Sequence, residues 1–177
     1  MQIRFASFPA LAALGVLALS PAWAQNPDGA NRLTTPDTVF ANHAAQAGIA
    51  EVELGQLAKQ RTNNPAVQAF AQRMIDDHTR INNELKSLAE KQGMTLPTAM
   101  AADDQAAYNR LSNLQGAAFD HAYIPAQISA HKQVIAEFRE EAKSGTDPQL
   151  KTFASQNLPT LEQHLALAEK TERELKK

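Results

Sequence analysis

Five residues able to bind a cation or move a proton interrupt the apolar stripes of this sequence: Glu51, Asp77, His78, His131 and His164. At 100° per residue, Glu51 stands about 20° from Phe40, in line with Ala44, Ala47 and Leu54. Asp77 stands about 20° from Phe70, between Met74 and Ile81, so it is expected to face a core, with His78 at the edge of that stripe. His131 falls among Ile124, Ile128, Ile135 and Phe138, and Asp120 lies three turns earlier on the same face. His164 falls among Leu161, Leu165 and Ala168. A carboxylate or imidazole buried alone is costly, or shifts its pKa until it is neutral. These groups must therefore be paired, hydrated or metal-bound.

Two arrangements would satisfy them. One is a carboxylate–histidine network, Asp77 or Glu51 to His131 or His164, that fixes helix register. The other is a site for one Zn, Mn or Fe ion, which carboxylate and imidazole together suit, with Asp120 and Tyr123 as a supporting network. A standard di-iron bundle centre takes two Glu-x-x-His pairs. The residues three before each His are Phe40, Ile75, Ala118, Ile128 and Leu161, none of them acidic, which argues against that centre.

The remaining polar residues read as surface. His43 and His121 fit solvated or capping positions. Asp76 pairs most simply with Arg80 at i+4. Glu140-Glu141 and the closing charges from Glu172 to Lys177 read as solvated helix ends. There is no Gly-rich phosphate loop, no Gly-x-Ser-x-Gly elbow and no His-Glu-x-x-His pair, which argues against a hydrolase.

Helices must position the interior polar groups. Thr35-Pro36-Asp37, Asn64-Pro65 and Asp147-Pro148 each place a cap residue before a proline at the first helical position. Gly93 and Gly145 stand where helices should stop. Four main helices are expected: about Asp37 to Arg61, Pro65 to Gln92, Ala117 to Lys143 and Pro148 to Lys176. A shorter one from about Asp103 to Gln115 precedes Gly116. Pro125 and Pro159 fall inside the last two main helices, where each should bend its helix or free a carbonyl. Four amphipathic helices with short connections predict an all-α fold, an antiparallel four-helix bundle with the extra short helix before the third main one.

The chain has 177 residues, and its start reads as an export signal. Arg4, an apolar run from Phe5 to about Ser20, and Ala22-Trp23-Ala24 match a cleavable signal peptide over 1–24. Residues 25–34 form a flexible leader and 35–177 a single domain. Release to the periplasm of a Gram-negative cell is expected, the alternative being an inner-membrane anchor left uncleaved. After cleavage no run is long enough to span a membrane. Loss of Arg4 takes a chain of 17 basic and 19 acidic residues from a net charge of −2 to −3, which argues against a nucleic-acid surface. There is no Cys, which excludes disulfides, thiol catalysis, thiolate metal sites and a lipid-modified Cys.

Glu51-x-x-x-Gly55-x-Leu57-Ala58, Phe70-Ala71-x-x-Met74-x-x-Asp77-His78, Phe119-Asp120-x-x-Tyr123, His131 and Leu158-Pro159-x-Leu161-x-x-His164 together resemble a bacterial family known as domain of unknown function 4142. The resemblance runs from about Val39 to Glu169. It implies a ferritin-like antiparallel helical bundle that is exported. Members are often labelled outer membrane proteins, but this sequence has neither a lipobox Cys nor the alternation of barrel strands. The family implies no activity. The function expected is therefore a non-enzymatic, exported binding or envelope-stress protein with a buried carboxylate–histidine cluster, either a structural network or a site for a metal ion. Two other classes stand beside it. One is a metal-dependent redox enzyme acting on iron or peroxide. The other is a helical interaction module for an envelope partner or a second copy of the chain.

Overall fold

Polar residue followed by proline starts two of the long helices, as the sequence pattern requires. Asn64 Oδ1 accepts from the amides of Ala66 at 2.9 Å and Val67 at 3.3 Å, and Asp147 Oδ1 accepts from those of Gln149 at 2.9 Å and Leu150 at 2.8 Å. Each cap satisfies amides that have no partner inside the helix and contributes about 1 kcal/mol. The computed structural model describes residues 35–177. Its helices are α1 (Thr35–Arg61), α2 (Pro65–Lys91), α3 (Ala102–Leu111), α4 (Gly116–Ser144) and α5 (Pro148–Leu175), with no strand among the described residues. The expected signal peptide and leader lie outside those residues.

One detail departs from the pattern-based reading, and the two helix prolines take the second of the courses open to them, freeing a carbonyl. The short helix ends four residues early, at Leu111: the Asn109 carbonyl accepts from Ser112 Oγ and Asn113 Nδ2, side chains that compete with the helical ladder. Pro125 and Pro159 leave α4 and α5 continuous. Both prolines are exposed, as are His121 and Ser155, whose carbonyls each proline deprives of a donor, so water can satisfy them. Gly93 closes α2 with φ at 66°, a conformation that favours glycine.

Three-residue connections fold α1 onto α2 and α4 onto α5. The two hairpins meet through α2 against α5 and α1 against α4, while α3 touches α1 and α4. Gly55 allows the first hairpin to close. A Cβ there would lie 2.9 Å from Ile75 Cγ1 and 3.0 Å from the Ala71 carbonyl oxygen. Gly55→Ala is therefore expected to cost about 1–3 kcal/mol by overpacking, read as a lower urea midpoint. An unchanged midpoint would show that the hairpin yields there freely.

The apolar interior has two parts. One gathers Leu54, Leu57, Phe70, Met74, Phe119, Tyr123 and Ile124, and the other Phe40, Ile81, Leu85, Ile135, Phe138, Phe153 and Leu161. Every long helix contributes to both. On α2 the change from one to the other falls between Met74 and Ile81, on α4 between Ile124 and Ile135, on α5 between Leu161 and Ala168, and on α1 between Ala45 and Leu54. Those intervals hold His78, His131, His164 and Glu51. The seam between the two apolar parts is thus a polar layer.

Candidate metal centre

The layer is built around three imidazoles. His78, His131 and His164 are all buried, at 4%, 2% and 1% exposure, and one ring nitrogen from each lies within 4.8 Å of the others. Their ring centroids are 5.2 to 5.8 Å apart. Two rings are anchored from behind. His131 Nδ1 lies 2.9 Å from the Gln127 carbonyl oxygen, one turn back on α4. A carbonyl cannot donate, so Nδ1 carries the proton and Nε2 is left as a bare lone pair. His164 Nε2 lies 2.8 Å from Asp77 Oδ2, which also accepts from Arg73 Nε. Burial would raise the Asp77 pKa, but the bonds from His164 and Arg73 outweigh it and hold the carboxylate below its usual range. So His164 donates from Nε2 and keeps its lone pair on Nδ1. His131 Nε2, His164 Nδ1 and His78 Nε2 have no hydrogen-bond partner among the described residues.

Burial keeps the rings neutral. It pushes His131 down to about 4, with His164 adding to the shift. Burial likewise holds His78 well below the usual imidazole value, helped by its two neighbours, and it depresses His164 despite the pull of Asp77. Neutral imidazole is the form that ligates metal.

Glu51 flanks the trio. Its Oε1 is 3.8 Å from His131 Nδ1, the nitrogen that bonds the Gln127 carbonyl, and its Oε2 has no partner among the described residues. Burial drives its pKa up to about 8 against a hydrogen bond from Gln127, and the Asp104 charge adds to the rise. A small cavity of about 10 Å³ is lined by Glu51, His78 and His131 with apolar neighbours. That is room for about one water.

The five residues singled out by periodicity thus take three positions. The histidines form the centre, Asp77 stands behind His164, and Glu51 stands beside His131. The exposures of neighbouring residues 77 and 78 reverse the expectation. His78 is buried and continues the stripe of Phe70, Met74, Ile81 and Leu85, whereas the Asp77 side chain is 21% exposed at its edge, where Arg73 reaches it. Asp120 and Tyr123 are buried, but no hydrogen bond links either to the histidines, and the Tyr123 hydroxyl has no partner among the described residues. Burial pushes that hydroxyl's pKa well up, with the nearby Glu51 charge adding.

One surface pairing and one surface assignment are corrected. Asp76 accepts from Gln72, while Arg80 reaches Glu84 and Asn157. Glu141 is buried, because it follows Phe138 by three on the inner face of α4. Among the interior polar residues that escaped notice are Gln127 and Asn157. Gln127 stands four before His131, and Asn157 stands seven before His164, so the same periodicity marks them. Asn157 bridges α5 to α2, donating to Glu84 Oε2 at 3.3 Å and accepting from Arg80 at 3.4 Å. His43 is exposed and lies 4.0 Å from Glu137. His121 is exposed too.

A family model described as Domain of unknown function (DUF4142) matches residues 22–171. No curated protein matches the sequence. A solved structure, the crystal structure of a DUF305 fragment from Deinococcus radiodurans, is similar with a TM-score of 0.71 at 14% identity. The similarity covers 80% of this chain and 98% of that one, and at that identity it speaks for the helical fold alone.

Proposed function

The chain belongs to the DUF4142 family, whose description names no activity, and from its geometry we propose that it binds a single transition-metal ion at His78, His131 and His164. One observation carries the reading. Three buried, neutral imidazoles bring one ring nitrogen each within 4.8 Å of the others, each ring has a nitrogen without a hydrogen-bond partner among the described residues, and two of the rings are held by a carboxylate and a backbone carbonyl. Histidines that ligate metals are oriented by such outer partners, which fix the tautomer and raise ligand basicity. A tetrahedral ion with bonds of about 2.0–2.1 Å needs the nitrogens about 3.4 Å apart, so the rings close inward by up to about 1.4 Å on binding. Three imidazoles favour zinc or iron over manganese, which prefers oxygen donors. The adjoining cavity leaves room for a water as fourth ligand.

The packing order α1, α2, α5, α4 supports an antiparallel four-helix bundle of ferritin-like kind, with α3 as an addition. A cavity of one water supports binding over turnover of any organic substrate. The signal-like pattern of residues 1–24 supports a periplasmic setting and an envelope-protective role for this binding. Elemental mass spectrometry on the mature protein, purified from periplasm without tag or chelator, is expected to find about one metal per chain in the wild type. His131→Ala and His164→Ala should carry none. Metal-free wild type after incubation with zinc and ferrous iron would end this reading. Turnover of ferrous iron or peroxide by the loaded protein would replace it with a redox enzyme.

A further inference from the structure

A second opening adjoins the polar layer. A surface cleft of about 330 Å³ lies between α1, α4 and the start of α3. Its wall carries Asp103, Asp104 and Glu137, with Glu51 at its inner end, and no Lys or Arg lines it. Asp104 is close enough for its charge to act on Glu51. Glu51, Ala47 and Val134 line this cleft and also the one-water cavity that touches His78 and His131. Glu51 is 5% exposed, and its Oε2 has no partner among the described residues. The same carboxylate therefore stands at the floor of the cleft and at the edge of the cavity beside the imidazoles.

On this basis we propose that the acidic cleft is the route by which a divalent cation reaches the three histidines, with Glu51 as the group that takes it from its water shell. This rests on the metal-binding reading above and adds a path to it. Sizes separate the two compartments. Six waters around an ion occupy about 180 Å³ at about 30 Å³ each, which the cleft accommodates and the cavity does not. The ion must lose water between them, and an oxygen of the Glu51 carboxyl group there replaces what is lost. Charge separates the two faces of the layer. On the α2–α5 side Arg73 and Arg80, whose charges act on His164, are each paired with a carboxylate, Asp77 and Glu84, so these pairs offer a cation no acidic excess. On the α1–α4 side the fixed charges are acidic. A cleft lined by one sign of charge raises the local concentration of counter-ions and their rate of entry.

The test is the rate of zinc uptake by the full chain, followed by stopped flow against a chromogenic zinc indicator. Two variants are compared with wild type: Asp103→Asn/Asp104→Asn/Glu137→Gln at the rim, and Ala47→Leu in the throat. The rim variant is expected to load about tenfold more slowly at low salt and to lose most of the wild type's dependence on ionic strength. Ala47→Leu should slow both uptake and chelator-driven release while still ending at one zinc per chain. The rim variant changes only polar side chains at the surface, so it serves even if the throat variant misfolds. Uptake at the wild-type rate in the rim variant, with one zinc bound, would overturn the route. Wild type that takes no zinc would instead overturn the metal site itself.

Discussion

Replacing His78 with leucine is expected to end metal binding while leaving the metal-free protein at least as stable as the wild type. His78 Nε2 is buried without a partner among the described residues, and its pKa is held down by burial and two imidazole neighbours. Removing a polar group that satisfies nothing, and filling its space with an apolar side chain of similar size, is close to neutral or stabilising. If the three rings were a structural network, the same change would cost about 1–3 kcal/mol by stranding a partner. The zinc response runs the other way. At a concentration of about 100 times Kd, a ligand that binds only the folded state adds about 2.7 kcal/mol. For a chain of this size that raises Tm by roughly 5–10 °C. Loss of one of three ligands should weaken binding at least 100-fold, since outer partners alone are worth about 10–100-fold. Calorimetry of wild type and His78→Leu, with and without zinc, reads both effects. A lowered Tm in the metal-free variant, with no zinc response in wild type, would make the cluster structural.

The helices were legible because their signals are local. Asn64-Pro65 and Asp147-Pro148 are caps whose chemistry acts within three residues, and the structure places them as caps. The interior positions of Glu51, His131 and His164 were legible because a 3.6-residue period persists over long helices. Convergence was not. Periodicity gives the face of a residue but not its height relative to other helices, so nothing in the sequence says that residues 78, 131 and 164 share one level. The exchange between Asp77 and His78 shows the angular limit. The two differ by 100°, and the α2 face is set by what α1 and α5 press against it, which no single helix encodes. Glu141 was misread for a different reason. Charged residues in the last turn usually face water, and this one lies inside beside Asp37 of α1 and Asp147 after α4, the first of them more than a hundred residues away in sequence.

That same corner should make stability depend on pH. Asp37 opens α1 and is fully buried, accepting from the Thr146 amide at 2.9 Å and from the Thr146 hydroxyl. Asp147 caps α5. Glu141 lies against them, and burial, followed by the charge and hydrogen bond of Asp37 and the charge of Asp147, lifts its pKa to about 7, with Lys151 opposing. In the unfolded chain it titrates at the model value of 4.5. Between those values the folded state binds more protons, so stability falls as pH rises. The contribution is complete below about 4.5 and gone above about 7. The full shift would be worth about 3 kcal/mol at 1.36 kcal/mol per unit, and the site's place at a helix end near solvent reduces that to about 1–2 kcal/mol. Glu141→Gln keeps a donor for Asp37 and removes the titration. The variant is therefore expected to lose about 1–2 kcal/mol less than wild type between pH 5 and pH 8, measured by urea unfolding at each pH. Glu51, lifted to about 8 by burial, adds a slope of the same sign to both proteins and cancels in the difference. Equal losses in the two proteins would mean that Glu141 is ionised in the fold at neutral pH, with the corner held by the Asp37–Thr146 bonds alone.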